Sequence, residues 1–524
     1  MNGEPPSSLV EARRRFAAGD MAQAAAAARL AALGDASLTE AFGLWGVATA
    51  EMRAFSAAID PLRVAVQAAV PGSGRWALLT LHLGRSLFAT GYWREGLDRL
   101  GQLERAAPPD AMLRARLGVA LIDCGLADRG LTHLEWAVAA NPEAGDLRGD
   151  LGWALLATGR LGEAETRLDE ALSLAPDHIG SICTLAGLRR WSDADNHVDR
   201  LRARRDDPDV KPRDRIRLSF ALFKELDDLD RRAEAWTVLE EANQAAWADA
   251  PAWSAPGGAA LTQALMRRFP PSLFARRPPD TARGRTPIFI VGLPRTGTTL
   301  LERILAGHSQ VSALGEAAVF LRLFREAASA RGRPLDPRGV LNTQRTDWRA
   351  LGALYLAETA PLARGAGFSV DKLPVNSLFV GPLDLAFADA RIVLLRRGPM
   401  DSLFSAYKMM LQQDTLYGWC YRLEDLAAHF RQHQRLMDHW RSCLGDRLIE
   451  VSYEALVTDS EPQIRALLDR CGLDFEAGCL TPQTTAGPIL THSNIQARAP
   501  ISAASVGAWR RYERELEPLR LRLA

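Results

Sequence analysis

The sequence predicts a multidomain protein, with an N-terminal all-α superhelix of repeated helix pairs and a C-terminal α/β domain built on a parallel sheet. Two observations carry this. In the first part, Gly and Pro markers return every 34 residues within apolar residues at helical spacing. After Arg285, short β-branched runs alternate with helical stretches, the pattern of a sheet covered on both faces. A length of 524 residues suits about three units or two large ones.

Composition narrows the function classes. Hydrophobic residues at 47% and charged residues at 24% are too apolar a balance for disorder. The net charge of +1 provides no global field for nucleic acid or an anionic membrane. The apolar run at Pro287–Val291 is far too short to span a bilayer, and Met1–Pro6 lacks the pattern of a signal peptide. Six scattered cysteines without a CxxC pair point to free thiols in a reducing compartment. A cytoplasmic protein is expected. Only four residues are lysine (Lys211, Lys224, Lys372 and Lys408) against abundant arginine, so a lysine within a motif is informative.

The repeat comes first in the chain. Leu83-Gly84, Leu117-Gly118 and Leu151-Gly152 are 34 residues apart, as are Gly91, Gly125 and Gly159, and Pro108, Pro142 and Pro176. Each unit reads as helix, Gly turn, helix and a terminating Pro. This resembles the tetratricopeptide repeat, clearest at 77–178, with looser units at Val10–Ala32, Ala41–Val70 and His178–Arg190. The resemblance implies a superhelix with a concave face that binds a protein or peptide partner. The helical region is expected over 1–250, with a last amphipathic stretch at Ile216–Ala248, and a Pro/Gly-rich linker over 251–285.

Residues 286–524 form the expected α/β domain, with strands at Pro287–Val291, Val311–Leu314, Gly367–Val370, Arg391–Leu395 and Arg447–Val451. Long helices are expected at Asp401–Leu411 and Tyr421–Leu444, and an amphipathic terminal helix over Arg510–Arg522. Ile288–Val291 runs into Gly292-Leu293-Pro294-Arg295-Thr296-Gly297-Thr298-Thr299, a strand–turn–helix junction whose backbone N–H groups converge on an anion. The spacing is that of the nucleotide P-loop, but Thr298 stands where that loop needs lysine. A donor without a γ-phosphate or essential metal fits this P-loop-like element.

From Pro287 onward the order of motifs resembles sulfotransferases that use 3′-phosphoadenosine 5′-phosphosulfate (PAPS), in the branch of the tyrosylprotein sulfotransferases and their bacterial relatives. Arg295, Thr296, Gly297, Thr298 and Thr299 match the family's 5′-phosphosulfate loop. Leu314-Gly315-Glu316 matches its catalytic glutamate segment, and Val370-Asp371-Lys372-Leu373-Pro374 its lysine segment. Arg397 and Ser405 match its 3′-phosphate site, and Tyr453 and Ser493 its later binding positions. The resemblance implies Glu316 as general base, Lys372 on the oxygen between sulfur and phosphorus, and Ser493 as a further catalytic-site residue. No metal and no tightly bound cofactor are implied; PAPS is a co-substrate and adenosine 3′,5′-bisphosphate its product.

Two positions that are basic in the tyrosylprotein enzymes read Met409 and Ala508, so the 3′-phosphate grip is expected to draw on Arg498, Arg510 or Arg511. The acceptor is a hydroxyl, either a protein tyrosine or that of a carbohydrate, lipid or small molecule. A nucleotide kinase lacks its lysine and magnesium carboxylate here; a non-catalytic repeat scaffold is the other alternative. Arg396, on the opposite strand face from Arg397, is expected in a structural ion pair. His429, His433 and His439 have helical spacing but no completing ligands, and read as a solvated helix face.

Overall fold

A computed structural model describes residues 6–250, 253–275, 284–330, 334–411, 417–491 and 493–523. The N-terminal region is all-helical, from Ser7–Ala17 to Arg232–Asp249. The helices of the clear repeats end at Ala106, Ala140 and Leu174, each two residues before its Pro marker. The turns inside the pairs hold left-handed residues at Gly19, Gly91, Gly125 and Gly159. The stretch expected to run over Ile216–Ala248 is two helices, Pro212–Asp228 and Arg232–Asp249, parted at Asp230 with φ 58°.

The first helices of successive pairs pack on one another: Ser7–Ala17 on Thr39–Glu51, then Gly74–Ala89, Ala111–Asp123 and Gly145–Thr158. The second helices stand further apart by comparison, so the array curves with its first helices on the inside.

The C-terminal region is a five-stranded, wholly parallel sheet of order β2-β3-β1-β4-β5. Here β1 is Thr286–Val291, β2 Val311–Gly315, β3 Phe368–Asp371, β4 Arg391–Arg396 and β5 Leu448–Ser452. All five follow the β-branched runs read from the sequence. The connecting helices Val319–Ala327 and Trp348–Ala363 occupy a gap between strands for which the sequence reading set no helix bounds. The C-terminal tail is a 3₁₀ turn at Ala508–Tyr512 and a short helix at Glu517–Leu523, not one helix over Arg510–Arg522.

The segment expected as a linker contains a helix, Ala255–Arg268, packed against the long helix Leu423–Leu444; residues 251–252 and 276–283 lie outside the described residues. The core also crosses the expected boundary. Trp236 of the array lies 6.5, 6.0 and 5.8 Å, centroid to centroid, from Phe404, Tyr407 and Tyr512. Asn243 Nδ2 donates to the Tyr407 carbonyl at 3.0 Å within this buried seam. All six cysteines are free. Among the described residues no helix is long and apolar enough to cross a membrane.

Candidate active site

Parallel strands deliver their C-terminal ends to one edge of the sheet, where an open α/β fold places its ligands. With β1 central, the strand order sorts the sequence motifs by side. Lys372 follows β3 and Glu316 follows β2 on one flank; Arg397 follows β4 and Tyr453 follows β5 on the other.

The loop after β1 is pinned by its own hydrogen bonds. Gly292 N–H donates to Ser377 Oγ at 3.0 Å, and that hydroxyl reaches the Pro374 carbonyl at 2.7 Å. Thr296 Oγ1 donates back to the Leu293 carbonyl at 2.8 Å. Gly297 has φ 100°, and a Cβ there would meet the Tyr453 ring at 2.5 Å, so only glycine lets the loop lie against that ring. The first backbone bond of the helix Thr298–Ala306 runs from Leu301 N–H to the Gly297 carbonyl. The preceding N–H groups of Thr298, Thr299 and Leu300 therefore have no intrahelical acceptor and face the loop's concavity. Thr299 Oγ1 lies 3.2 Å from Thr491 Oγ1.

On the β2–β3 flank, Lys372 Nζ donates to Glu316 Oε1 at 2.6 Å. The lysine side chain is 1% exposed and the glutamate 43%, so the pair has one dry and one wet end. Behind it, Glu302 of the loop's own helix accepts the Gly315 N–H at 3.0 Å and fixes the turn out of β2. Burial pushes the Glu302 carboxyl up, against the pull of Lys372. Asp371 faces away from the pair: Tyr355 Oη donates to it at 2.9 Å, and burial raises its pKa to about 8. Asp371 thus supports β3 from the core and does not orient Lys372.

On the β4–β5 flank, Arg295 holds φ 68° and is surrounded by neutral acceptors. Its Nε donates to Ser405 Oγ at 3.2 Å, Nη2 to Gln496 Oε1 at 3.2 Å, and Nη1 to Ser493 Oγ. Arg397 donates to the Arg295 carbonyl at 3.0 Å and the Ser505 carbonyl at 2.7 Å, and lies 4.5 Å over the Tyr453 ring. Tyr453 Oη is 2.7 Å from Ser505 Oγ. Burial, then the like charge of Arg397, holds Arg295 down to about 10. Arg397 Nε is buried without a hydrogen-bond partner. Two guanidiniums with no carboxylate between them, one with an orphaned N–H, are built for an anion.

The structure brings together Glu316 and Lys372, and separately Arg295, Arg397, Ser405, Tyr453 and Ser493. It sends Arg498 elsewhere. Arg498 donates to Asn494 Oδ1 at 2.9 Å and to the Ala157 carbonyl of the array at 2.6 Å, which makes it a seam residue. Arg511 is held by Asp227 and Asp230 at 3.0 and 2.8 Å, and Arg510 lies over Trp509. Lys408, to which the sequence reading gave no role, lies with Nζ 4.9 Å over the Phe404 ring. Burial lowers its pKa, and Arg295, Arg511 and Arg397 lower it further against Asp227. The signal was present: Lys372 and Lys408 are two of only four lysines.

Other residues resolve simply. Arg396 pairs with Glu450 at 3.2 Å, as expected of the outer strand face. His429 stacks on Trp419 at 4.0 Å and burial pulls its pKa to about 3; His433 is pulled to about 4 the same way. That helix face is half-buried rather than fully solvated. Among the described residues no cluster of His, Cys, Asp and Glu can hold a metal.

Residues 287–477 match the model of the sulfotransferase family, and residues 121–181 that of the tetratricopeptide repeat. An uncharacterised protein of Aquifex aeolicus (strain VF5) is 29% identical over 338 residues, covering 62% of this chain and 43% of that protein. Protein-tyrosine sulfotransferase 2 of Gallus gallus is 26% identical over 240 residues, covering 42% of this chain and 62% of that protein. The chain thus spans 43 to 62% of the length of these relatives. Among solved structures, the sulfotransferase domain of the Synechococcus PCC 7002 olefin synthase aligns with 45% of this chain and 91% of its own, at 22% identity and a TM-score of 0.30. This chain thus carries a sulfotransferase-family domain joined to tetratricopeptide repeats.

Proposed function

We propose that the protein transfers the sulfuryl group of PAPS to a hydroxyl of a polypeptide acceptor. The observation that carries this reading is the arginine pair. Arg295 and Arg397 stand half-buried with neutral partners and one orphaned N–H, at the mouth of a loop whose lysine position is Thr298. A nucleotide with a single 5′ phosphosulfate and a 3′ phosphate satisfies both ends. The loop N–H groups take the 5′ end, and Arg397, Ser405 and Lys408 the 3′ end.

The β2–β3 flank then faces the sulfur. Glu316 takes the acceptor hydroxyl proton as the oxygen attacks sulfur, and the bond from sulfur to the bridging oxygen breaks in line. The leaving group is adenosine 3′,5′-bisphosphate, and Lys372 stabilises the charge that develops on its 5′ oxygen. The 2.6 Å ion pair gives each group its starting position. Donor binding draws Lys372 toward the bridging oxygen and frees the glutamate as base.

A polypeptide acceptor is favoured by the array, which packs directly onto the domain beside Glu316. Calorimetry with adenosine 3′,5′-bisphosphate and with ATP, each with and without magnesium, tests the donor. The expected result is tight, metal-independent binding of the bisphosphate. Equal binding of ATP or a strict metal requirement counts against the reading, and transfer of labelled sulfate from PAPS to peptide hydroxyls tests the reaction itself.

A further inference from the structure

The array is joined to the anion flank through a one-turn helix, Asn494–Ala497. Helical spacing gives that turn two faces. Ser493 and Gln496, three apart, share one; Asn494 and Arg498, four apart, share the other. The first face meets Arg295, whose Nη1 donates to Ser493 Oγ and whose Nη2 donates to Gln496 Oε1 at 3.2 Å. Together with Ser405 Oγ, 3.2 Å from Nε, these acceptors orient the Arg295 guanidinium.

The second face meets the array. The last carbonyls of a helix have no donor within it. At the end of Gly145–Thr158 the left-handed turn at Gly159 satisfies two of them. Arg160 N–H donates to the Leu155 carbonyl at 2.9 Å, and Gly159 N–H to the Leu156 carbonyl at 3.0 Å. The Ala157 carbonyl is left for the C-terminal chain, and accepts from Ile489 N–H at 2.9 Å and from Arg498 Nη2 at 2.6 Å. Asn494 Nδ2 adds a bond to the Leu156 carbonyl at 3.2 Å, while its Oδ1 accepts from Arg498 Nε at 2.9 Å. A cation at a helix C-terminus also meets the negative end of the helix dipole.

The fit at this helix end needs glycine. A Cβ on Gly159 would stand 2.5 Å from Arg498 Nη1 and 2.7 Å from its Cζ. Gly125, one repeat earlier, has the same left-handed conformation, φ 77° against 89°, yet a Cβ there would meet nothing within 4 Å. The two turns differ in what they touch, not in their backbone.

We propose that Arg498 and Asn494 are positioning residues: seated on the Leu156 and Ala157 carbonyls of the array, they hold Ser493 and Gln496 on Arg295 and so orient that guanidinium for its anion. That the anion is the donor nucleotide rests on the sulfotransferase reading; the link from Gly159 to Arg295 does not.

The test compares Gly159→Ala and Gly125→Ala in the full chain, two variants with the same backbone strain that differ in the contact with Arg498. Hydrogen exchange read by mass spectrometry needs no ligand. Gly159→Ala should speed exchange at 493–498 and in the loop 292–299, and Gly125→Ala at neither. In calorimetry, Gly159→Ala and Arg498→Ala should each weaken adenosine 3′,5′-bisphosphate by about tenfold, while Gly125→Ala leaves its affinity unchanged. Arg498→Lys keeps a donor for the Ala157 carbonyl and should recover most of the loss, which a role in packing alone would not allow.

Equal effects of the two glycine variants, or unchanged exchange at 493–498 and 292–299 in Gly159→Ala, overturn the proposal. So does faster exchange with wild-type affinity. A wild type that binds no bisphosphate defeats the sulfotransferase reading alone, and hydrogen exchange then decides the link by itself.

Discussion

Lys372 Nζ and Glu316 Oε1 stand 2.6 Å apart at the ends of neighbouring parallel strands, 56 residues distant in sequence. The lysine is buried and the glutamate half-exposed, so the pair presents a proton acceptor to solvent and keeps its cation toward the loop. Register places them there: Gly315 pairs with Asp371, and Lys372 N–H donates to the Gly315 carbonyl at 2.9 Å.

Glu316→Gln keeps the size and a hydrogen-bond acceptor but removes the base. Because general-base catalysis contributes about 10²–10⁴-fold, kcat should fall by that order while affinity for adenosine 3′,5′-bisphosphate holds. Steady-state kinetics beside calorimetry separates the two quantities. Near-full turnover would assign the proton to another acceptor.

Arg397→Ala should act on one nucleotide and spare another. A hydrogen bond to a charged group is worth about 1.5–3 kcal/mol, so adenosine 3′,5′-bisphosphate should bind roughly 10- to 100-fold more weakly. Adenosine 5′-phosphate, which lacks the 3′ group, should change much less. Equal losses for both would place Arg397 at the 5′ end or in the framework.

Asp371 predicts a pH dependence of stability. Its folded pKa, pushed up to about 8 by burial, lies above the unfolded value of about 4. Between those values the folded state binds more protons than the unfolded one, so stability declines as pH rises through about 4 to 8. Asp371→Asn mimics the protonated acid and still accepts from Tyr355, so its Tm should fall less across that window. Melting curves from pH 5 to 9 measure the difference; parallel curves would show that Asp371 is ionised in the folded protein.

The shared core predicts one unfolding unit. Trp236 lies against Phe404, Tyr407 and Tyr512, so Trp236→Ala, a helix-array substitution, should cost about 3–5 kcal/mol and lower the melting of the whole chain. Calorimetry should show a single transition that moves as one. Two transitions, with only the first displaced, would make the array an independent module.

Much of this architecture was legible from local pattern. The 34-residue markers, the β-branched runs and the Gly-x4-Gly loop are statements about backbone, and backbone choices are made within a few residues. The placement of Glu316, Lys372 and Arg397 at strand ends was legible too, because parallel strands must end at one edge whatever packs around them, whereas Tyr453 was singled out only by the family resemblance. The loop and β4 side chains followed from where each strand stops.

What a long side chain finds at its tip was settled only by the tertiary structure. Arg498 was expected on a phosphate and instead holds the Ala157 carbonyl, 341 residues away. Asp371 stands beside Lys372 in the sequence, yet strand alternation turns it into the core, to Tyr355, and burial changes its proton affinity. Lys408 stands in no sequence motif, and folding lays it over the Phe404 ring. The helix at Ala255–Arg268 and the shared core have the same origin: Pro and Gly mark where the chain turns, but Trp236 and Phe404 join one core through contacts that local composition does not encode.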